Sequence, residues 1–249
     1  MRLIGLGLSV CSGSSLKPPL SPLRNSPDCG QTPRRERDHT LPEKYARKPT
    51  LASRIVRRII LAIWYIRGWK IDSPLPKHLK KYVIAGAPHT TNWDFVFFTG
   101  ATHEEGIRPN FMGKHTLFQG IMKNFMLDMG GIPVDRRKSA NATEQVAAEF
   151  AARDHLALVI ACEGTRKTDG KWKSGFYHIA RAADVPIVPA FADNARKIIS
   201  FGEPLMPSGN YGEDLLKIAE WFRSKLPDYE RFKVLEQQAR DIIAGKNDV

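Results

Sequence analysis

The run Leu156-Ala157-Leu158-Val159-Ile160-Ala161 has no polar side chain in six residues. A strand with one wet face alternates apolar and polar side chains. An unbroken apolar run of this length therefore fits a strand buried on both faces, as in sheets covered by helices on either side. The rest of the chain from Tyr82 onward supplies such a setting. Residues 82–85, 110–112, 132–134 and 185–190 read as further strands. Helices are expected from about Trp93, over 116–129 ending at Gly130-Gly131, over 140–153 with Ser139 as cap, and over 175–183, 214–225 and 228–243. This alternation predicts an α/β fold: a mixed, mostly parallel sheet flanked by helices.

Charge divides the chain. The formal net charge is +12, with nine Lys/Arg against four Asp/Glu in residues 1–50, eight against one in 51–81, and twenty-one of each in 82–249. A neutral body is not built to coat nucleic acid, so no nucleic-acid partner is expected. A basic N-terminal third suits an anionic membrane surface. Residues 1–50 hold 7 of the 17 prolines and many serines, and read as a disordered tail. The opening Met1 to Cys11 resembles a shortened signal peptide with glycines in its apolar run; it is read as an untranslocated tail or an early start site.

Residues 51–70 are expected to form an N-terminal amphipathic helix on the domain 51–249, with Ser53 able to cap it and Gly68 able to stop it. Its uncharged run, 59–66, is too short for a bilayer, which takes about 20 apolar residues. Arginines at one end and tryptophans at the other suit a helix lying in the membrane interface; docking on the core is the equal alternative, and one helix can do both. Cys11, Cys29 and Cys162 have no paired spacing, which gives no disulfide framework and no zinc pattern.

The chemistry gathers in loops that follow strands, where α/β proteins place their sites. His89-Thr90-Thr91-Asn92-Trp93-Asp94 leads into a helix capped by Thr91 or Asn92. His89 and Asp94 are five apart and share no helix face, so they meet only if His89 folds back over the first turn. The carboxylate would then fix the imidazole tautomer and leave the other ring nitrogen to take a proton from a hydroxyl. Gly131 to Arg136 presents a guanidinium after a short strand. Glu163-Gly164-Thr165-Arg166 follows the buried strand, with a glycine for a tight turn and a planar fork matched to phosphate oxygens. Taken singly, each arginine reads first as a surface ion pair. Together with a hydroxyl-activating base they imply a phosphorylated acceptor alcohol.

These blocks, in this order, resemble the glycerolipid acyltransferase superfamily, best known from the lysophosphatidic acid acyltransferases. The likeness covers roughly residues 80–205: the His-x4-Asp block at His89 to Asp94, the arginine block Gly131 to Arg136, Glu163 to Arg166, and the Val-Pro-Ile-Val-Pro block from Val185. Phe111 to Phe118 resembles the family's lysine segment, and Ser174 to Ala180 its Gly-rich helix start.

The resemblance implies a peripheral membrane enzyme on the cytoplasmic face that moves a fatty acyl group from an acyl thioester (acyl-CoA or acyl carrier protein, as co-substrate) to a lysophospholipid hydroxyl. The acceptor it implies is 1-acyl-glycerol-3-phosphate, giving phosphatidic acid, with other lyso-lipids as the alternative. His89 would be the general base, Asp94 its orienting acid and Lys114 the cation meeting the oxyanion. Arg136 and Arg166 would hold the phosphate, while Glu163, Gly164 and Thr165 shape the glycerol site. No metal and no cofactor are called for. The family's Asn before the catalytic His is Pro88 here, and its Phe-Pro before the Glu-Gly-Thr-Arg block is Ala161-Cys162; both bear on acceptor identity.

Other chemistries fit less well. A serine hydrolase lacks its Gly-x-Ser-x-Gly elbow. Gly113-Lys114-His115-Thr116 misses a phosphate-binding loop, with Arg108 in place of the first glycine. Cys162 ends a buried strand, where thiols are usually inert. A non-enzymatic basic module for membrane or nucleic acid would leave the polar blocks of the neutral body unexplained.

Overall fold

The computed structural model describes residues 48–91, 93–135 and 139–246. The tail reading for 1–47, the cap Asn92 and the guanidinium of Arg136 lie outside them. In chain order the elements are α1 (Leu51–Ile66), β1 (Lys70–Ser73), β2 (Lys81–Ala87), α2 (Asp94–Glu104), β3 (Pro109–Lys114), a 3-10 turn (His115–Phe118), α3 (Met122–Asp128), β4 (Gly131–Val134), α4 (Ser139–Ala151), β5 (Leu156–Ala161), α5 (Gly175–Ala182), β6 (Ile187–Asp193), β7 (Ile198–Phe201), α6 (Tyr211–Lys225) and α7 (Glu230–Ile243). The seven strands form one sheet in the order β1-β7-β6-β2-β5-β3-β4. Every neighbouring pair is parallel except β6 and β7. This is the mixed, mostly parallel sheet the alternation predicts.

Strand β2 lies in the middle, and the two-residue period of a strand divides its side chains between two cores. Val83, Ala85 and Ala87 pack with Phe150, Phe176, Leu215 and Phe232 beneath α4 to α7. Tyr82 and Ile84 pack on the other face with Trp64, Trp69 and Phe97 beneath α1 and α2. Val83 and Ile84 are completely buried, each stabilising the fold by roughly 1.5–3 kcal/mol.

Helix α1 is part of the second core. Trp64 stacks on Trp69 with centroids 5.6 Å apart, and Trp69 stacks on Phe97 at 4.0 Å. A Cβ on Gly100 of α2 would stand 2.3 Å from the Trp64 ring, so only glycine leaves the slot the indole fills. The cap is Thr50, not Ser53: the Thr50 hydroxyl accepts the Ser53 amide at 3.2 Å. Ser53 sits a turn further in, where its own hydroxyl and the Thr50 amide both donate to Asp128 at the end of α3. The helix is also shorter than 51–70, because the backbone from Lys70 leaves it to pair with β7 as β1.

Three further expectations are corrected. The helix expected over 116–129 is two pieces, since Gly120 adopts a left-handed φ of +55° between the 3-10 turn and α3. The break turns Phe118 back onto the sheet, where its ring covers Gly113 and Gly131; a Cβ on either would lie 2.7 Å from it. Helix α2 starts at Asp94 behind Trp93, and the Thr91 hydroxyl accepts the Trp93 amide in the preceding turn rather than capping the helix. Ser139 is itself the first residue of α4.

Candidate functional site

The parallel strands β2, β5 and β3 end on one edge of the sheet, and their following loops carry the polar blocks. At the end of β2 the chain turns so that His89 Nδ1 lies 2.7 Å from Asp94 Oδ2. The turn is held by the carboxylate itself. Asp94 Oδ2 also accepts the amides of Thr90 and Thr91, at 3.0 and 3.1 Å, and Oδ1 accepts the Thr91 hydroxyl at 3.1 Å. A carboxylate with this many donors is fixed in place, and it presents an imidazole whose Nε2 is the remaining ring nitrogen. Both side chains are partly exposed, 28% for His89 and 21% for Asp94.

Beside His89 an apolar pocket opens to solvent, lined by Pro88, Phe97, Phe98, Ile160, Phe191 and Phe201 among others. Its walls come from β2, α2, β5, β6 and β7. A base at the mouth of an apolar slot can act on a hydroxyl while the slot holds hydrocarbon and keeps water out.

The loop after β5 brings Glu163 under the same turn. Its side chain is fully buried, and Oε2 accepts the backbone amide of His89 at 2.9 Å. Burial pushes the Glu163 carboxyl up, against the His89 amide and the Arg231 guanidinium, which pull it down. Its other oxygen, Oε1, is buried with no hydrogen-bond partner among the described residues, an acceptor waiting for a donor. Gly164 turns the chain sharply with φ +72°, its amide returning to the Ala161 carbonyl at 3.0 Å. Thr165 and Arg166 follow, both exposed.

Of the remaining predicted residues, Lys114 ends β3, exposed, with β5 between it and β2. Two strand spacings are roughly 10 Å, and Lys114 does not line the apolar pocket. Cys162 is a buried free thiol facing the Ile160 carbonyl, and burial together with the Glu163 charge raises its pKa well above the ordinary range. Such a thiol stays protonated and is no nucleophile. No group of three or more His, Cys, Asp or Glu placed to hold a metal occurs among the described residues. One site residue escaped the sequence reading: Arg231 of α7, which pairs with Glu163 at 3.1 Å. Nothing in its spacing pointed there, because it lies 68 residues from its partner.

Residues 71–192 match the acyltransferase family model. The chain is 31% identical over 159 residues to a probable 1-acyl-sn-glycerol-3-phosphate acyltransferase of Mycoplasma pneumoniae, covering 60% of this chain and 58% of that protein. It is 28% identical over 136 residues to the 1-acyl-sn-glycerol-3-phosphate acyltransferase of Limnanthes alba, covering 52% of this chain and 47% of that one. It thus spans about half the length of the curated relatives it matches. The crystal structure of the 1-acyl-sn-glycerophosphate (LPA) acyltransferase from Thermotoga maritima overlaps 78% of this chain and 82% of that chain, with a TM-score of 0.45 at 16% identity, too weak a likeness to add weight. The matched stretch contains both the His89–Asp94 turn and the Glu163–Arg166 loop, so the polar blocks of this chain lie inside its likeness to the acyltransferases.

Proposed function

We propose that the protein transfers a fatty acyl group from an acyl thioester, acyl-CoA or acyl carrier protein, to the hydroxyl of a lysophospholipid, with 1-acyl-glycerol-3-phosphate as acceptor and phosphatidic acid as product. The observation that carries this reading is the His89–Asp94 pair at the mouth of an apolar pocket. In this scheme His89 Nε2 takes the acceptor's hydroxyl proton as the oxygen attacks the thioester carbonyl. The tetrahedral intermediate then expels the thiolate, which takes the proton back from His89. Asp94 keeps the tautomer and stabilises the imidazolium in between.

Lys114, from the far side of the strand edge, is the cation for the developing oxyanion. The unpartnered Glu163 oxygen suits a glycerol hydroxyl, with Gly164 and Thr165 shaping that subsite. Arg136 and Arg166 take the phosphate. Arg166→Ala is accordingly expected to raise the acceptor KM by roughly tenfold or more, the scale of a lost charge-assisted hydrogen bond, with the thioester KM unchanged. Steady-state kinetics with each substrate varied in turn checks this.

The same reading places the protein on the cytoplasmic membrane face, where its amphipathic substrates lie. No helix among the described residues is long and apolar enough to cross a membrane. Helix α1 buries Ile60 and Trp64 yet leaves Leu51, Ile55, Ile59 and Ile66 exposed, with Arg54 and Arg58 beside them. An outward apolar stripe bordered by arginines favours an anionic interface. Ile55→Glu with Ile59→Glu is expected to abolish sedimentation with anionic vesicles while leaving Tm within a few degrees, because neither side chain enters the core. A double variant that still sediments would place the membrane contact elsewhere.

The function itself is tested by supplying purified protein with lysophosphatidic acid and each thioester. Phosphatidic acid formed with either donor supports the reading. Failure on this acceptor but success on another lyso-lipid revises the headgroup, and failure on all of them rejects the reading.

A further inference from the structure

The loop that carries Glu163 and Arg166 does not stand on the sheet alone. Helix α7, outside the stretch matched to the family, reaches back to it at several points. Arg231 forks: Nη1 donates to Glu163 Oε2 at 3.1 Å, and Nη2 donates to the Arg166 carbonyl at 3.0 Å. The contact is close enough that a Cβ on Gly170 would lie 2.7 Å from the Arg231 Cα. Two turns along α7, the Gln238 amide accepts the Trp172 amide at 2.8 Å and donates to the Trp172 carbonyl at 2.9 Å.

The same Glu163 oxygen that receives Arg231 also accepts the His89 backbone amide. One guanidinium therefore ties Glu163 to the turn that holds the base, and its other arm grips the Arg166 carbonyl three residues further along the loop.

We infer that Arg231 is a positioning residue of the acyl-transfer site, holding the Glu163 carboxylate against the His89 amide and fixing the Arg166 carbonyl so that Arg166 is presented to the acceptor phosphate. The inference rests on the function proposed above and extends it to a part of the chain that carries no motif. The role calls for arginine. Its planar fork serves two acceptors at fixed angles, whereas an ammonium group meets the carboxylate as a point charge and leaves the carbonyl unserved.

An ordinary structural ion pair would add stability and nothing else, so the test separates the two. The titratable and charged groups around Glu163 are His89, Arg231, Cys162 and Tyr229, with Asp94 behind His89. Folding raises the Glu163 pKa. Its contribution to stability is therefore present at low pH and lost as pH rises through the folded value. Replacing Arg231 with methionine removes a group that lowers this pKa, and so moves the loss to higher pH and enlarges it.

The experiment uses the full chain, with Arg231→Met and Arg231→Lys, each alone and with Glu163→Gln. In thermal unfolding without substrate, the Tm gap between wild type and Arg231→Met should widen from about pH 5 to pH 8, and its pH dependence should vanish in the Glu163→Gln background. In kinetics with lysophosphatidic acid, Arg231→Met should raise the acceptor KM roughly tenfold or more and spare the thioester KM. Arg231→Lys should recover the Tm behaviour but not the acceptor KM.

A flat Tm gap overturns the inference, as does a pH-dependent gap with unchanged acceptor KM. If Arg231→Met does not fold, a wild-type acceptor KM in Arg231→Lys overturns it alone, and a raised one supports it. A wild type that acylates no lyso-lipid rejects the proposed function, while the Tm arm still reads whether Arg231 governs Glu163.

Discussion

His89→Ala is expected to lower kcat by about 100-fold or more, the usual scale for losing a general base, without unfolding the protein. Both halves follow from who holds the turn. Asp94 accepts from the Thr90 amide, the Thr91 amide and the Thr91 hydroxyl as well as from His89. Losing the imidazole leaves three of those donors in place. The His89 backbone amide is untouched by the substitution and stays on Glu163. Tm should therefore move little while turnover collapses, and acceptor KM should hold because the phosphate grip proposed above lies in the other loop. Single-turnover acyl transfer beside a melting curve checks the pair of outcomes. A variant that turns over like wild type would remove His89 from the mechanism.

Trp64→Ala has the largest expected effect on stability, about 3–5 kcal/mol. The indole is 1% exposed, stacks on Trp69 and fills the slot left by Gly100. Truncation leaves a cavity that α1 and α2 cannot close, since the backbone around Gly100 is shaped to the ring. For a domain of this size that amounts to a fall in Tm of roughly 6–20 °C. The result also separates two jobs in one helix. If α1 served the membrane alone, truncating a residue on its inner side would leave the melting of the free protein unchanged. Deleting residues 1–70 is for the same reason a poor probe of membrane recruitment, because it removes Trp64 and Trp69 from the core.

The sheet was legible wherever one strand carries its own signal. Residues 156–161 read as a strand because every side chain is apolar, and the observed β5 has those bounds. Strands β1 and β7 were missed for a physical reason. Each has only four residues, too few to establish a period, and Lys70–Ser73 buries no side chain fully. The split of the 116–129 helix was hidden because its cause is distant: Phe118 turns back to cover glycines on β3 and β4. In the site, the five-residue offset of His89 and Asp94 implied a folded-back turn, and the structure places the two in contact. That the same carboxylate also gathers two backbone amides and the Thr91 hydroxyl could not be read from the offset, because amides leave no mark in a sequence and the hydroxyl reads equally well as a helix cap. Arg231 was invisible in the same way, being one basic residue on an otherwise ordinary amphipathic helix.

The pairing of Lys70 with Ile198 sets an order of events during synthesis. Strand β1 has no neighbour until β7 has been made, more than a hundred residues later, and the inner face of α1 finishes its packing only when Ile199 and Phe201 arrive. At ribosomal speeds of about 5–20 residues per second, the inner face of α1 stays incompletely packed for roughly 7–27 seconds. On the function proposed above, a bilayer surface can engage the exposed stripe of α1 during that interval, before the domain has closed over its inner face.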